Sequence, residues 1–225
     1  MDKADLNETM SATKLVLAAL LDTLSGSTGK AGAQLNYLCG KLRVNGPKQL
    51  NVGGYDFWAD LVACFEAAPL AGATFLGMDT VRLVARALTP SSLPAVALKN
   101  FATRMALAEQ ARILSATTFT SRQQLDAVFD QIDVAFNDAE LVAADNMDNV
   151  AYRALIAIHA AVSNDLATRS FTLPRMTTYK MPIRMPALTL AQRIYYDPSR
   201  SGELIAENRP IHPLFMPSSG VALST

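Results

Sequence analysis

Residues 121–136, SRQQLDAVFDQIDVAF, carry the pattern on which the fold prediction depends. Ser121 followed three residues later by Gln124 is typical of a capping box, which marks the start of a helix. The large apolar residues then recur at steps of three, one, three and four, the spacing of a single helical face: Leu125, Val128, Phe129, Ile132 and Phe136. The stretch therefore predicts an amphipathic helix.

The same helical periodicity recurs through the first 170 residues, which are rich in Ala and Leu. Further helices are predicted near 9–25, 31–43, 55–67, 75–88 and 92–115, with Pro94 tolerated in a first turn. They are separated by residues 26–29, by Asn45-Gly46-Pro47 and by residues 69–72. A last long helix is expected to bury Val150, Ala154, Leu155, Ile158, Val162 and Leu166. Seven helices at this spacing predict an antiparallel bundle with short loops.

Proline and charge divide the chain near residue 170. Seven of the eleven prolines lie beyond that residue. Residues 1–170 carry 14 basic and 17 acidic side chains, whereas residues 171–225 carry 6 and 3. We therefore expect a helical bundle domain over residues 1–170 and a small module over residues 171–225.

The second region combines short strands with short helices. Residues 175–180, RMTTYK, are polar and partly β-branched, which favours a strand. Residues 187–195 and 201–208 favour two short helices, and a turn from Pro217 leads into a brief final strand. The predicted fold class is mainly α: a helical bundle followed by a small α+β module in the order strand, helix, helix, strand.

Composition narrows the classes of function. Twenty basic residues balance twenty acidic ones, whereas broad nucleic-acid binding usually needs a basic surface. The apolar runs are too short to cross a membrane, and the polar N-terminus does not predict a secretory signal. Cys39 and Cys64 lie among apolar neighbours and are expected to be buried thiols in a protein made in a cytoplasm.

No motif indicates catalysis or a metal. The stretch GSTGKAG, residues 26–32, lacks the glycine and the Ser or Thr that a phosphate loop needs. The seven acidic residues between Asp126 and Asp148 lack a calcium-loop pattern, so they predict a solvated face or one that docks on a basic partner. His159 is interpreted as a helix-packing residue, and the aromatic cluster Tyr55, Phe57, Trp58 and Phe65 as core. We expect no enzyme activity, no catalytic residue, no cofactor and no metal.

The C-terminal third resembles a known family. Residues 148–168, DNVAYRALIAIHAAVSNDLAT, and residues 188–214, LTLAQRIYYDPSRSGELIAENRPIHPL, are similar to the C-terminal half of the DNA circularization (N-type) proteins of Mu-like contractile-tailed phages and prophages. The resemblance covers roughly residues 145–225. Members of that family are longer, so the chain resembles a C-terminal portion or a shorter relative.

The last fifty residues also resemble a LysM fold, in which a strand, two helices and a strand pack together and an Asn stands late in the second helix, here Asn208. The Gly-Asp-Thr of sugar-binding LysM modules is replaced by residues 181–186, MPIRMP. This departure favours protein docking over peptidoglycan binding.

The family resemblance implies a structural protein of a phage tail or baseplate. Its expected partners are tail tube and baseplate hub proteins and further copies of itself in a ring, and its expected location is the virion. The alternatives are a DNA-end binding protein, for which Arg175, Lys180, Arg184, Arg193, Arg200 and Arg209 are the candidate cluster, and a peptidoglycan-binding tail module. Neither a membrane nor nucleic acid is the favoured partner.

The interface residues are expected in the C-terminal module. Tyr195, Tyr196 and Phe215 are candidate anchors, although at least one of them is expected to fill the small core. Arg193, Glu203, Asn208 and His212 are candidate polar contacts.

Overall fold

The computed structural model describes residues 1–24 and 29–224. Within these ranges it contains nine α-helices, a short 3₁₀ turn and two strands, so the prediction of a mainly helical chain is confirmed. Seven of the helices precede residue 171, as predicted: α1 (Lys3–Asp22), α2 (Lys30–Asn51), α3 (Tyr55–Leu70), α4 (Phe75–Ala87), α5 (Leu93–Ala116), α6 (Arg122–Asp145) and α7 (Asn149–Ser170). The predicted break at residues 26–29 lies mostly outside the described residues.

Helix α2 corrects one predicted break. Asn45-Gly46-Pro47 was expected to separate two helices, but α2 continues through it to Asn51. A proline removes one helical hydrogen bond, and α2 continues for only about one turn beyond it. Val52 is its C-cap, and the following Gly53 and Gly54 have φ angles of 123° and 78°, in the left-handed region that stops a helix from continuing.

Gly46 serves close packing rather than a turn. The residue is buried in the middle of α2. A Cβ atom at this position would lie 3.0 Å from Met10 Cε of α1 and 3.4 Å from Phe57 Cε2 of α3. The absence of a side chain therefore allows helices α1 and α3 to approach this point of α2.

The described chain divides into two compact units. The first comprises residues 1–117 and 132–162, and the second comprises residues 118–131 and 163–225. The second unit thus contains more of the chain than the region beyond residue 170, because it includes the start of α6 and the end of α7.

Helices α1 to α5 supply the main core of the first unit. Each contributes large side chains that are fully buried: Val16, Leu17, Leu20, Leu35, Leu42, Phe57, Leu61, Phe65, Met78, Val81 and Leu98. Cys39 and Cys64 are buried in the same core as free thiols. Of the predicted aromatic core, Trp58 is only half-buried and Tyr55 is 84% exposed, so that prediction was wrong for Tyr55.

The predicted stripe of α6 is confirmed, whereas that of α7 is partly wrong. Leu125, Ile132 and Phe136 of α6 are buried, and Ser121 Oγ accepts a hydrogen bond from the Gln124 amide at 3.3 Å. On α7, Leu155 and Leu166 are buried. Val150 and Ala154 are exposed because apolar spacing near a helix end does not show how far the neighbouring helices cover it.

The second unit contains the predicted order of short elements. They are β1 (Met176–Lys180), α8 (Ala187–Tyr195), a 3₁₀ turn (Pro198–Arg200), α9 (Ser201–Asn208) and β2 (Ser219–Leu223). The strands are antiparallel, with Met176 opposite Leu223 and Lys180 opposite Ser219. Among the described residues, no helix is both long and apolar enough to cross a bilayer.

A carboxylate of α1 binds the start of α5. Glu8 accepts hydrogen bonds from the Ser91 amide at 2.7 Å and from the Ser92 amide at 2.8 Å. Ser92 is the N-cap of α5, and the positive end of a helix dipole favours an anion there. Hydrogen bonding by Ser92 and Ser91 lowers the pKa of Glu8 to about 2.

We expect Glu8→Gln to destabilise the protein at pH 7 but not at strongly acidic pH. A carboxyl whose folded-state pKa is depressed stabilises the fold above its usual pKa of 4.5, and this contribution is lost as the pH falls towards 2. Urea unfolding at several pH values between 7 and 2 measures the difference between variant and wild type. A difference that is independent of pH would contradict the assignment, and Asp22→Asn, at the exposed end of α1, is the control.

Candidate functional site

The second unit has a small core of its own, formed where α8 and α9 cover the two-stranded sheet. Its buried side chains come from both strands, from α8 and α9, and from the connecting segments: Tyr179, Met185, Ala187, Leu190, Ala191, Tyr195, Leu204, Met216 and Ala222. Because a two-stranded sheet is marginal alone, this packing is what allows the sheet to persist.

Asn208 joins the end of α9 to β2. Its Nδ2 donates to the carbonyls of Leu204 and Val221, at 2.9 and 2.7 Å. Its Oδ1 accepts a hydrogen bond from the Val221 amide at 2.8 Å. Both N–H groups of the carboxamide and its oxygen are therefore engaged by backbone, and the side chain serves as a structural link within the unit.

Gly220 makes room for this contact. A Cβ atom at residue 220 would lie 2.1 Å from Asn208 Oδ1 and 2.7 Å from the Tyr179 hydroxyl oxygen. Since these distances are far below van der Waals contact, any larger residue would displace the Asn208 side chain or the strand. We call these three residues, Asn208, Gly220 and Val221, the Asn208 clasp.

Tyr195 is a core residue of the unit and not a surface anchor. It is 7% exposed, and its hydroxyl oxygen accepts a hydrogen bond from the Leu223 amide at 3.0 Å. Burial raises the pKa of this hydroxyl. The Arg200 guanidinium lies 3.9 Å from the ring centroid and forms a bidentate pair with Glu203 at 2.9 and 2.7 Å. Tyr195, Glu203 and Asn208 are thus engaged within the unit.

Four of the predicted interface residues lie at the surface. Tyr196 ends α8 in the left-handed conformation with φ 57° and is 85% exposed. Phe215 is 66% exposed, and Arg193 and His212 are also exposed. The structure therefore leaves these four side chains available to a partner.

Phe215 belongs to a rigid turn, residues 211–216, which we call the C-terminal turn. Within it, His212 Nδ1 accepts from the Leu214 amide at 3.1 Å, and the Phe215 amide donates to the His212 carbonyl. The turn is also bound to residues 185–187: the Ala187 amide donates to the Pro213 carbonyl at 2.8 Å, and the Met216 amide to the Met185 carbonyl at 3.1 Å.

The C-terminal turn exposes apolar side chains that sequence reasoning missed. Ile211 is fully exposed and Leu214 is 54% exposed. On the neighbouring segment, Ile183 is 66% exposed. The available signal was the alternation of apolar residues with Pro210 and Pro213, because a segment with two prolines joins neither a helix nor a sheet interior.

Most of the basic side chains predicted as a cluster in the second unit are exposed. Of the six basic residues predicted as a cluster, Arg200 is paired with Glu203. The other five are exposed: Arg175, Lys180, Arg184, Arg193 and Arg209. These five side chains therefore form no salt bridge that the structure shows and face solvent.

The acidic run is largely paired within the first unit. Asp138 binds Arg86 and Asp148 binds Arg104. The ring nitrogens of His159 lie 2.9 Å from Glu140 Oε1 and 3.0 Å from Asp133 Oδ1. Asp138 and Asp148 are thus paired with arginines of the same chain, whereas Asp126 and Asp130 are exposed, as expected for a solvated face. The described residues contain no group of three or more side chains suited to a metal.

No model of a known protein family matches this sequence, and no curated protein matches it with significance.

We expect Gly220→Ala to destabilise the second unit by about 1–3 kcal/mol, because the added methyl group overpacks the Asn208 clasp. Faster hydrogen exchange at the Val221 amide, together with a lower melting temperature, would show this. Gly202→Ala is the matched control, since a Cβ atom there meets nothing within 4 Å. Equal exchange at Val221 in both variants would contradict the role assigned to Gly220.

Proposed function

We propose that the protein is a structural subunit of a contractile phage tail, located between the tail tube and the baseplate hub. It acts by binding and not by catalysis, and its second unit, a LysM-like module, docks on a tube or hub protein. The resemblance of residues 148–168 and 188–214 to the N-type proteins supports the tail assignment.

The observation that carries the docking proposal is the rigid C-terminal turn with its exposed apolar side chains. Ile211, Leu214 and Phe215 stand on a backbone held by hydrogen bonds on both sides. Burying an exposed side chain of this size contributes about 1.5–3 kcal/mol. Because the turn is already ordered, binding loses little conformational entropy.

The charges around the turn define the chemistry of the partner surface. Arg184 and Arg209 are exposed and flank the apolar residues in sequence, and residues 171–225 have a net charge of +3, from 6 basic and 3 acidic residues. The complementary surface is an apolar pocket with an acidic rim. Opposite charges at such a rim favour encounter and register.

A ring of copies is the second part of the proposal. A ring requires two different surfaces on each subunit, so that one copy's surface contacts the other surface of its neighbour. In this proposal, the second unit makes the contacts along the tail and the first unit makes those around the ring.

We expect the double variant Ile211→Ser/Phe215→Ser to remain folded and to lose incorporation into tail particles. Both side chains are exposed, so folding is unaffected, whereas losing both anchors weakens docking by at least about 100-fold. The measurement is quantitative mass spectrometry of purified, DNA-free tails, with cross-linking from Lys180 to tube or hub subunits.

The control is Val52→Ser, which replaces an exposed apolar residue of the first unit. Normal incorporation of the double variant would reject the C-terminal turn as the docking surface. Absence of the wild-type protein from the particles would reject the tail assignment itself.

The five exposed basic residues favour a second candidate, binding to DNA ends. If all five neutralise phosphates, the logarithm of the affinity falls with the logarithm of salt concentration with a slope of about −4.5. Arg184→Gln/Arg209→Gln would reduce that slope by about 2. Fluorescence anisotropy with a blunt-ended duplex at increasing salt makes the measurement, and a slope near zero would exclude this candidate.

A further inference from the structure

The two-stranded sheet of the second unit has an outer edge on each strand. The Met181 amide donates to the Ser218 carbonyl at 2.6 Å, and the register pairs Lys180 with Ser219. Because hydrogen-bonded and non-hydrogen-bonded pairs alternate in an antiparallel ladder, every second residue directs its N–H and C=O groups away from the other strand. These outward-facing residues are Met176, Thr178 and Lys180 on β1, and Ser219, Val221 and Leu223 on β2.

Side chains of the unit close most of the outer edge of β2. Asn208 binds both the N–H and the C=O of Val221, and the Tyr195 hydroxyl oxygen accepts from the Leu223 amide. Ser219, the first residue of the strand, is the outward-facing position that remains. A single open residue beside an occupied one gives little room for another strand.

The outer edge of β1 is closed at its first residue and open after it. Gln123 Oε1 accepts from the Met176 amide at 2.7 Å, and Gln123 Nε2 donates to the Met176 carbonyl at 3.2 Å. Within residues 1–24 and 29–224, the outward N–H and C=O groups of Thr178 and Lys180 have no hydrogen-bond partner, and both residues are exposed. β1 therefore presents two donors and two acceptors at ladder spacing, which is a template for a further strand.

Lys180 brings to this edge a positive charge that the second unit does not neutralise. The ion pairs of the unit join arginines to carboxylates close in sequence: Arg122 with Asp126, Arg169 with Asp165, and Arg200 with Glu203. Lys180 is exposed and forms no ion pair among the described residues. Since unlike charges on directly opposite residues stabilise strand pairing, a carboxylate opposite Lys180 favours an added strand.

A second copy of β1 fits this edge poorly. The antiparallel register that uses all four open backbone groups places Thr178 of each copy opposite Lys180 of the other. The two Lys180 side chains then lie diagonally on one face of the sheet, where like charges oppose the pairing. A lysine on an edge strand commonly prevents self-association of this kind, so the occupant differs from β1 in charge.

We propose that β1 accepts a third strand at Thr178 and Lys180, supplied by an extended segment of another protein that carries a carboxylate opposite Lys180. Backbone hydrogen bonds provide the binding, and the ion pair selects the register and the partner. This site is separate from the docking proposed for the C-terminal turn, and its test does not depend on the tail assignment.

The test is a peptide titration of the full ¹⁵N-labelled chain followed by NMR. The probe is acetyl-Ser-Thr-Glu-Val-Thr-Ser-amide, in which an antiparallel strand places Glu opposite Lys180 and the second Thr opposite Thr178. We expect the amide signals of Thr178 and Lys180 to shift and their hydrogen exchange to slow. The same peptide with Gln for Glu should bind about threefold more weakly, and the peptide N-methylated at its second Thr about tenfold more weakly.

Thr178→Pro is expected to abolish binding without unfolding the unit, because proline is tolerated on an edge strand where the N–H faces solvent. Thr178→Val, which keeps that N–H, is the matched control and should bind normally. Lys180→Gln should remove the preference for the Glu peptide, and Lys180→Arg should keep it.

Two comparisons need only the wild-type chain. The proposal is overturned if the Glu peptide shifts neither amide at millimolar concentration, or if the N-methylated peptide binds equally well. Dimerisation of the wild type in sedimentation, lost in Thr178→Pro, would identify a second copy as the occupant and would also overturn it.

Discussion

The hydrogen bonds of the Asn208 carboxamide hold the last helix against the last strand, and the geometry of the second unit depends on them. Three bonds from one side chain fix residues 204 and 221, while Tyr195 fixes Leu223 from α8. Because an isolated two-stranded sheet is barely stable, these side-chain bonds to its backbone supplement the strand pairing. Without these hydrogen bonds, each partly buried polar group left without a partner would reduce the free energy of unfolding by up to about 1–3 kcal/mol.

The same hydrogen bonds help to fix the conformation of the C-terminal turn. It lies between Asn208 and β2, so both of its ends are anchored, and residues 185–187 support its middle. Apolar side chains on such a turn differ from those on a mobile tail, since their positions are set before a partner arrives.

The spacing of apolar residues predicted most of the helices, and each wrong prediction can be traced to particular residues. The stripe and cap of α6 follow from periodicity and from Ser121, which require only neighbours in sequence. The break predicted at Asn45-Gly46-Pro47 was wrong. A glycine and a proline together usually break a helix, but here Gly46 lies within the helix and allows the close approach of Met10.

The candidate sites were harder to predict because they depend on long-range packing. Tyr195 and Tyr196 are adjacent, yet one is buried and the other exposed, since α8 ends between them. Ile211 and Leu214 were missed as anchors because exposure is a tertiary property.

The chain crosses between its two compact units three times, after residues 117, 131 and 162, and the last two crossings fall inside α6 and α7. A module that is joined to the rest of its chain by one linker can be released by a single cut in that linker. Truncation at residue 170 would instead leave behind residues 118–131 and 163–170, and Gln123 would lose its hydrogen bonds to the Met176 backbone. The second unit can therefore be removed or exchanged as a whole only together with parts of α6 and α7. A single protease cut at one connection does not release the complete unit.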